Sequence, residues 1–175
     1  MIIRAARVED AAGIARVHVD TWRTTYRGIV PDDYLANLSY EEREKEWKTG
    51  LSRAREDRFT FVAEDETGRI IGFVTGGPNR YNEPQYQSEL YAIYVLKEYQ
   101  GQGIGRDLTR SLIRSFLAMG SQSMMLWVFA GNTSSRRFYE ALGGQFVKSN
   151  HFEISGAVIE EIAYGWTDIS VLLKE

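Results

Sequence analysis

The feature that most constrains this chain is a glycine run, Gln100-Gly101-Gln102-Gly103-Ile104-Gly105, set directly between a β-rich stretch and an amphipathic one. Leu90 to Leu96 is aromatic and β-branched and suits a central strand. Gly105 to Met119 carries Leu108, Leu112 and Phe116 at spacings of four with Ile113 beside them, the pattern of a helix with one apolar face. Glycine lets the backbone turn tightly and present successive N–H groups, and a helix N-terminus adds partial positive charge. Strand, glycine turn and helix in this order therefore make an anion site, with a diphosphate as the natural ligand. A tight turn that needs glycine for its conformation alone is the competing reading. Two other phosphate loops are excluded by the letters. No Gly-Lys-Ser/Thr closes the run as a Walker A loop requires, and a dinucleotide fingerprint needs glycine where Arg106 or Leu108 stands.

The 175 residues, 43% of them hydrophobic and 26% charged, suffice for a core without staples, and residues 1–175 read as a single domain. The absence of cysteine removes disulfide frameworks, thiolate metal sites and cysteine nucleophiles together. With only His18 and His151, no metal site is expected. A formal charge of −3 argues against a nucleic-acid partner. Met1 to Ala12 is charged and has no apolar signal-peptide core, and the longest apolar run, Met124 to Ala130, is far short of the ~20 residues of a membrane span. A cytoplasmic protein with no membrane partner is the expectation.

Ile2 and Ile3 suggest a first strand, after which Asp10 can cap a helix carrying Ile14, Val17 and Trp22 on one face, extended by Tyr26. Ser39 followed by Glu42 has capping-box spacing and opens a polar surface helix through Trp47. Arg58 to Glu64 and Arg69 to Gly76 read as a hairpin turned at Gly68, and Pro78 to Ser88 as a loop. Met124 to Ala130 is a further strand, Thr133 to Leu142 a helix closed by Gly143 and Gly144, and strands follow near Gln145 to Phe152 and Val158 to Trp166. This order implies an α/β fold, a mixed sheet with helices on both faces.

Leu90 to Arg106 resembles the acetyl-CoA-binding motif of the GCN5-related N-acetyltransferases (GNAT), whose Gln/Arg-x-x-Gly-x-Gly/Ala pattern is met by Gln100, Gly103 and Gly105. Asn132, then Phe138-Tyr139-Glu140, then Leu142-Gly143-Gly144 is similar to the family's second motif. The resemblance implies a largely antiparallel central sheet and acetyl-CoA as cosubstrate. It gives the pyrophosphate to backbone N–H groups of Gln100, Gly101, Gln102, Gly103, Ile104 and Gly105, with Arg106 reaching a phosphate. Pantetheine then pairs with backbone at Ile93 and Val95 like an added strand and bonds Asn132, although Asn132 also reads as a helix N-cap. Arg110 and Arg114 continue the helix face of Arg106, where a solvated surface is the plainer reading.

Acyl transfer from a thioester needs a neutral amine, a stabilised oxyanion and a proton for the thiolate. A glutamate eleven positions before Gln100 is the base in histone-modifying members of the family, which makes Glu89 the candidate here; a solvent-facing strand-end glutamate is the alternative. Tyr139 resembles the family's general acid, and a backbone N–H near Ile93 would hold the oxyanion. Trp22, Tyr26, Tyr81, Glu83 and Tyr91 are candidates for binding the acceptor, a small amine such as a polyamine or else a peptide amine. Without cysteine, direct attack in a ternary complex is the consistent route. The other class of reading is a catalytically inactive acyl-CoA-binding or sensing module. The resemblance also allows a homodimer.

Overall fold

The apolar stripe that follows the glycine turn is the centre of the larger core. In a computed structural model, which describes residues 1–53, 55–81 and 83–174, the side chains of Leu108, Leu112, Ile113 and Phe116 are fully buried. They belong to α4 (Ile104–Ala118), which lies on a sheet of seven strands: β1 (Ile2–Ala5), β2 (Phe59–Glu64), β3 (Ile70–Pro78), β4 (Ser88–Val95), β5 (Met124–Phe129), β6 (Gln145–Ile154) and β7 (Ala157–Trp166). The strand order is β1-β2-β3-β4-β5-β7-β6, and every neighbouring pair is antiparallel except β4 with β5. Alternation along the strands divides the core between two faces. Leu90, Leu126, Ile162 and Tyr164 join α4 and Tyr139 of α5 (Thr133–Ala141). Val62 and Phe73 face Ile14 and Val17 of α1 (Ala11–Thr25), with Trp47 and Leu51 of α3 (Tyr40–Ser52) packed alongside.

The expected elements are present, with three corrections. The Asp10 carboxylate does not cap α1 but accepts from the Arg7 N–H at 2.7 Å and from the Arg4 guanidinium at 2.7 and 2.8 Å. Trp22 leaves the Ile14 face for an aromatic cluster with Tyr26 and Tyr34. A five-residue helix, α2 (Asp32–Ala36), follows Pro31 where no element was expected. Ser39 does cap α3, its Oγ accepting from the Glu42 N–H at 3.2 Å. In the Pro78 to Ser88 loop, Asn82 lies outside the described residues.

The cleft that matters for function comes from a fault in the sheet. Thr75 faces Ala92 and Gly76 faces Leu90, so Tyr91 is an extra residue, a bulge in β4. Gly76 permits it: a Cβ there would lie 2.7 Å from the Glu89 carbonyl oxygen and 2.9 Å from Leu112 and Phe116. Beyond the bulge β4 parts from β5, whose parallel pairing is confined to Ser88–Met124, Glu89–Met125 and Leu90–Leu126. The Leu96 N–H bonds to the Ile71 carbonyl at 2.9 Å, which fixes the parity of the ladder. Ala92 and Tyr94 therefore exchange hydrogen bonds with β3, while Ile93 and Val95 turn their N–H and C=O groups toward the edge that β5 has left.

His18 offers a test of the α1 face. It sits among Trp22, Trp47, Phe73 and Tyr94, and its Nδ1 accepts from Trp47 Nε1 at 3.3 Å, which requires an unprotonated nitrogen. Burial, with a smaller effect of the Arg43 charge, lowers its pKa to about 3. The unfolded chain then binds a proton below ~6.5 that the fold refuses, so stability is complete above that pH and falls as pH drops toward 3. At pH 5 the loss is about 2 kcal/mol. Urea midpoints at pH 7.5 and 5 measure it, and His18→Gln is expected to flatten the difference.

Candidate active site

A cleft of about 460 Å³ runs through the fork between β4 and β5, lined from one side by the glycine turn, α4 and α5 and from the other by Thr21 and Thr25 of α1 and its C-cap Tyr26. At its mouth Gly103 adopts φ +86°, the left-handed conformation glycine tolerates, and α4 begins at Ile104. The first-turn N–H groups of α4 have no helical partner, which makes this turn a site for anionic oxygens. Gln100, Gly101, Gly103, Ile104, Gly105 and Arg106 all line the cleft. Gln102 does not, and its amide donates to the Glu98 carbonyl at 3.4 Å. The arginine row divides likewise. Arg106 is exposed at the cleft, Arg110 donates to the Lys174 carbonyl at 3.3 Å, and Arg114 is on the exposed surface.

Further in, Ile93 and Val95 line the cleft with the edge groups that β3 does not use. Gln100 Nε2 already donates to the Val95 carbonyl at 2.9 Å, tying the glycine turn to β4. Asn132 is buried, and its Oδ1 accepts from the Ser135 N–H at 3.2 Å as N-cap of α5. Its amide N–H donors remain for a ligand, so the two sequence readings of Asn132 are compatible. Tyr139, about two helical turns beyond Asn132 in α5, is 7% exposed and lines the same wall. Burial, and to a lesser degree Tyr94, raises its phenol above the ordinary range. It is a proton donor throughout the neutral range.

Glu89 stands apart from this arrangement. It is 1% exposed, does not line the cleft, and accepts three hydrogen bonds from Arg80: from the backbone N–H at 3.0 Å, Nε at 3.1 Å and Nη2 at 2.6 Å. The alternative of a solvent-facing strand-end glutamate is corrected, because this strand end is buried. Among the acceptor candidates, Tyr26 and Tyr91 line the cleft. Trp22 packs behind Tyr26 at 4.8 Å and donates to the Tyr94 hydroxyl at 3.0 Å. Tyr81 is exposed and lies 5.4 Å from the Trp127 ring, and Glu83 is ion-paired with Lys148, so neither is a wall residue.

Several residues at the cleft were not anticipated. Thr21 and Trp127 line it on the α1 face. Glu161 of β7 does not itself line the cleft, but it stands opposite Phe129 of β5, on the same sheet face as Trp127. Asn150 donates to its Oε1 at 3.2 Å, and burial, with the Glu89 charge adding to it, raises its pKa. The signal for Trp127 lay in strand alternation: it faces away from Leu126 and Val128, and in this strand it and Phe129 alone are only partly buried. Among the described residues no group of three or more His, Asp or Glu side chains could hold a metal ion, and no helix is long and apolar enough to cross a membrane.

Comparison with known proteins agrees with this geometry. The model of the acetyltransferase (GNAT) family matches residues 14–144. The uncharacterized N-acetyltransferase YuaI of Bacillus subtilis is 44% identical over 170 residues, covering 97% of this chain and 95% of YuaI. An L-methionine sulfoximine/L-methionine sulfone acetyltransferase of Pseudomonas aeruginosa is 30% identical over 156 residues, 88% of this chain and 81% of that protein. The crystal structure of the PaiA N-acetyltransferase of Thermoplasma acidophilum with coenzyme A superposes with a TM-score of 0.68 at 22% identity, covering 91% of this chain and 96% of that one, and shares the fold.

Proposed function

The chain belongs to the GNAT family and is an acetyl-CoA-dependent N-acetyltransferase, and on that premise we propose that it passes the acetyl group directly to a small primary amine within a ternary complex. The observation that carries this reading is the fork: the β4 edge that β5 has left, open at Ile93 and at the Val95 N–H, leads from the glycine turn to the buried Tyr139 phenol. Acetyl-CoA would lay its pyrophosphate on the N–H groups from Gly101 to Gly105 near Arg106. Its pantetheine arm would pair along the β4 edge and meet the Asn132 amide.

In the reaction the amine nitrogen forms a bond to the thioester carbonyl carbon, the oxyanion is held by the Ile93 N–H, and the C–S bond breaks as Tyr139 donates to sulfur. An alkylammonium of pKa ~10.4 must first lose a proton. Glu89 has its oxygens occupied by Arg80, whereas Glu161, on the same sheet face as the cleft residue Trp127, has one oxygen without a partner among the described residues, so we assign the base to Glu161. A carboxylate accepts a proton only when ionised. The rate therefore falls as pH drops through the Glu161 pKa, and the raised value sets that limb above the ordinary carboxylate range. Glu161→Gln is expected to lower kcat/KM about 100-fold and erase the limb; an unchanged limb removes the assignment.

Free CoA release over a panel of amines tests the function. The chain has no cysteine, so a thiol reagent reads CoA without background from the protein. Release with at least one small amine, with intersecting initial-velocity patterns, is expected. Parallel patterns would overturn direct attack, and tight acetyl-CoA binding without release for any amine would overturn the transfer reading.

A further inference from the structure

Four buried side-chain atoms, Arg16 Nε, Thr21 Oγ1, Arg110 Nε and Trp127 Nε1, have no hydrogen-bond partner among the described residues. Two of these, on Thr21 and Trp127, belong to residues that line one cleft, where α1 and β5 close its acceptor side. Thr21 is itself 4% exposed. A buried donor left unsatisfied costs about 1–3 kcal/mol, so a fold that keeps two of them beside a cleft is matched to an occupant that supplies the missing partner. The indole N–H can only donate. Its partner must be a hydrogen-bond acceptor, and the Thr21 hydroxyl can likewise donate to an acceptor.

The charges nearby restrict the occupant further. Glu89 is matched by Arg80 and Glu83 by Lys148, whose ammonium also lies 5.8 Å over the Trp127 ring. Of the carboxylates on the Trp127 side of the sheet, Glu161 keeps one oxygen without a partner among the described residues, the other accepting from Asn150. That arrangement receives one cationic centre. A polyamine brings several ammonium groups and no acceptor oxygen, so it would leave both Thr21 and Trp127 unmet.

We propose that the acceptor is an α-amino acid or close analogue, its ammonium directed to Glu161 and its carboxylate oxygens accepting from Trp127 Nε1 and Thr21 Oγ1. This rests on the transferase reading above and narrows its acceptor. Because both donors are buried, the group they meet ends the ligand instead of continuing into a chain, which favours a free carboxylate over a peptide carbonyl.

The test is kcat/KM, by thiol release, for amino acids paired with the amines that lack only their carboxylate, together with amino-acid amides, dipeptides and spermidine. At least one free amino acid is expected to exceed its decarboxylated partner by about 100-fold, the effect of leaving buried donors unpaired. Trp127→Phe and Thr21→Val are each expected to raise KM for that amino acid about tenfold with kcat changed less, a tenfold shift being 1.4 kcal/mol. The matched ligand pairs need no variant, so the proposal stays testable even where a substitution disturbs folding. Spermidine or a dipeptide turned over as well as every free amino acid, with KM unmoved in both variants, overturns the acceptor assignment and leaves the transferase standing. Acetyl-CoA bound by calorimetry but never cleaved with any amine overturns the transferase reading, and this one with it.

Discussion

Tyr139→Phe is expected to lower kcat about 100-fold while the affinity for acetyl-CoA, read by calorimetry, changes little. The substitution removes one oxygen from a side chain whose ring packs in the larger core against Phe138 and Tyr164, so the fold retains its volume. The size of the effect follows from the phenol's surroundings. Burial holds the Tyr139 pKa above its ordinary value, whereas a free thiol sits near ~8.5, so handing the proton fully to sulfur is uphill. On the proposed route Tyr139 would act chiefly by donating a hydrogen bond to sulfur as charge gathers there, and would complete the transfer as the attacking nitrogen gives up its own proton. A hydrogen bond to a charged group contributes about 1.5–3 kcal/mol, which is 10- to 100-fold in rate. The basic limb of the pH profile should keep its position in the variant, because a raised phenol does not titrate there. A kcat within threefold of the parent removes Tyr139 from the mechanism.

The parts of the site that could be read in the sequence are those whose signal is local. The glycine turn, the α4 stripe and the Asn132 cap each depend on residues within a few positions of one another, and periodicity suffices to find them. The fork between β4 and β5 does not. It arises because Tyr91 has no opposite number on β3, and an extra residue in a strand leaves no mark on alternation until the partner's register is known. The acceptor side was obscured for the same reason. Thr21 and Trp127 come from α1 and β5 and share the cleft only because β5 leaves β4, and Glu161 joins the Trp127 face only through the pairing of β7 with β5. The arginine row at spacing four was a true helix face, but only the residue in the first turn of α4 is near the cleft. The five-residue α2 after Pro31 carried a start signal in Asp32 and Asp33 that is too brief for periodicity to register.

The second large effect concerns Glu89, where a catalytic and a structural role predict opposite results. Arg80→Met is expected to destabilise the protein by about 3 kcal/mol, since it leaves a carboxylate that is 1% exposed with one backbone N–H in place of three donors. Glu89→Gln should cost much less, because the Arg80 side chain left behind is 51% exposed and can turn to water. The double variant should recover most of the loss, giving a coupling of about 2 kcal/mol in a urea-denaturation cycle. This asymmetry is the mark of a buried anion held by a surface cation. The pair also sets the cleft: the Arg80 guanidinium lies 4.2 Å over the ring of Tyr91, the bulge residue, whose hydroxyl donates to the Pro78 carbonyl at 2.7 Å. Loosening it should raise KM for the acceptor more than it lowers kcat. If Glu89→Gln instead abolishes the acidic limb of kcat/KM with stability intact, Glu89 is the base, and the free oxygen of Glu161 serves only to hold the ammonium.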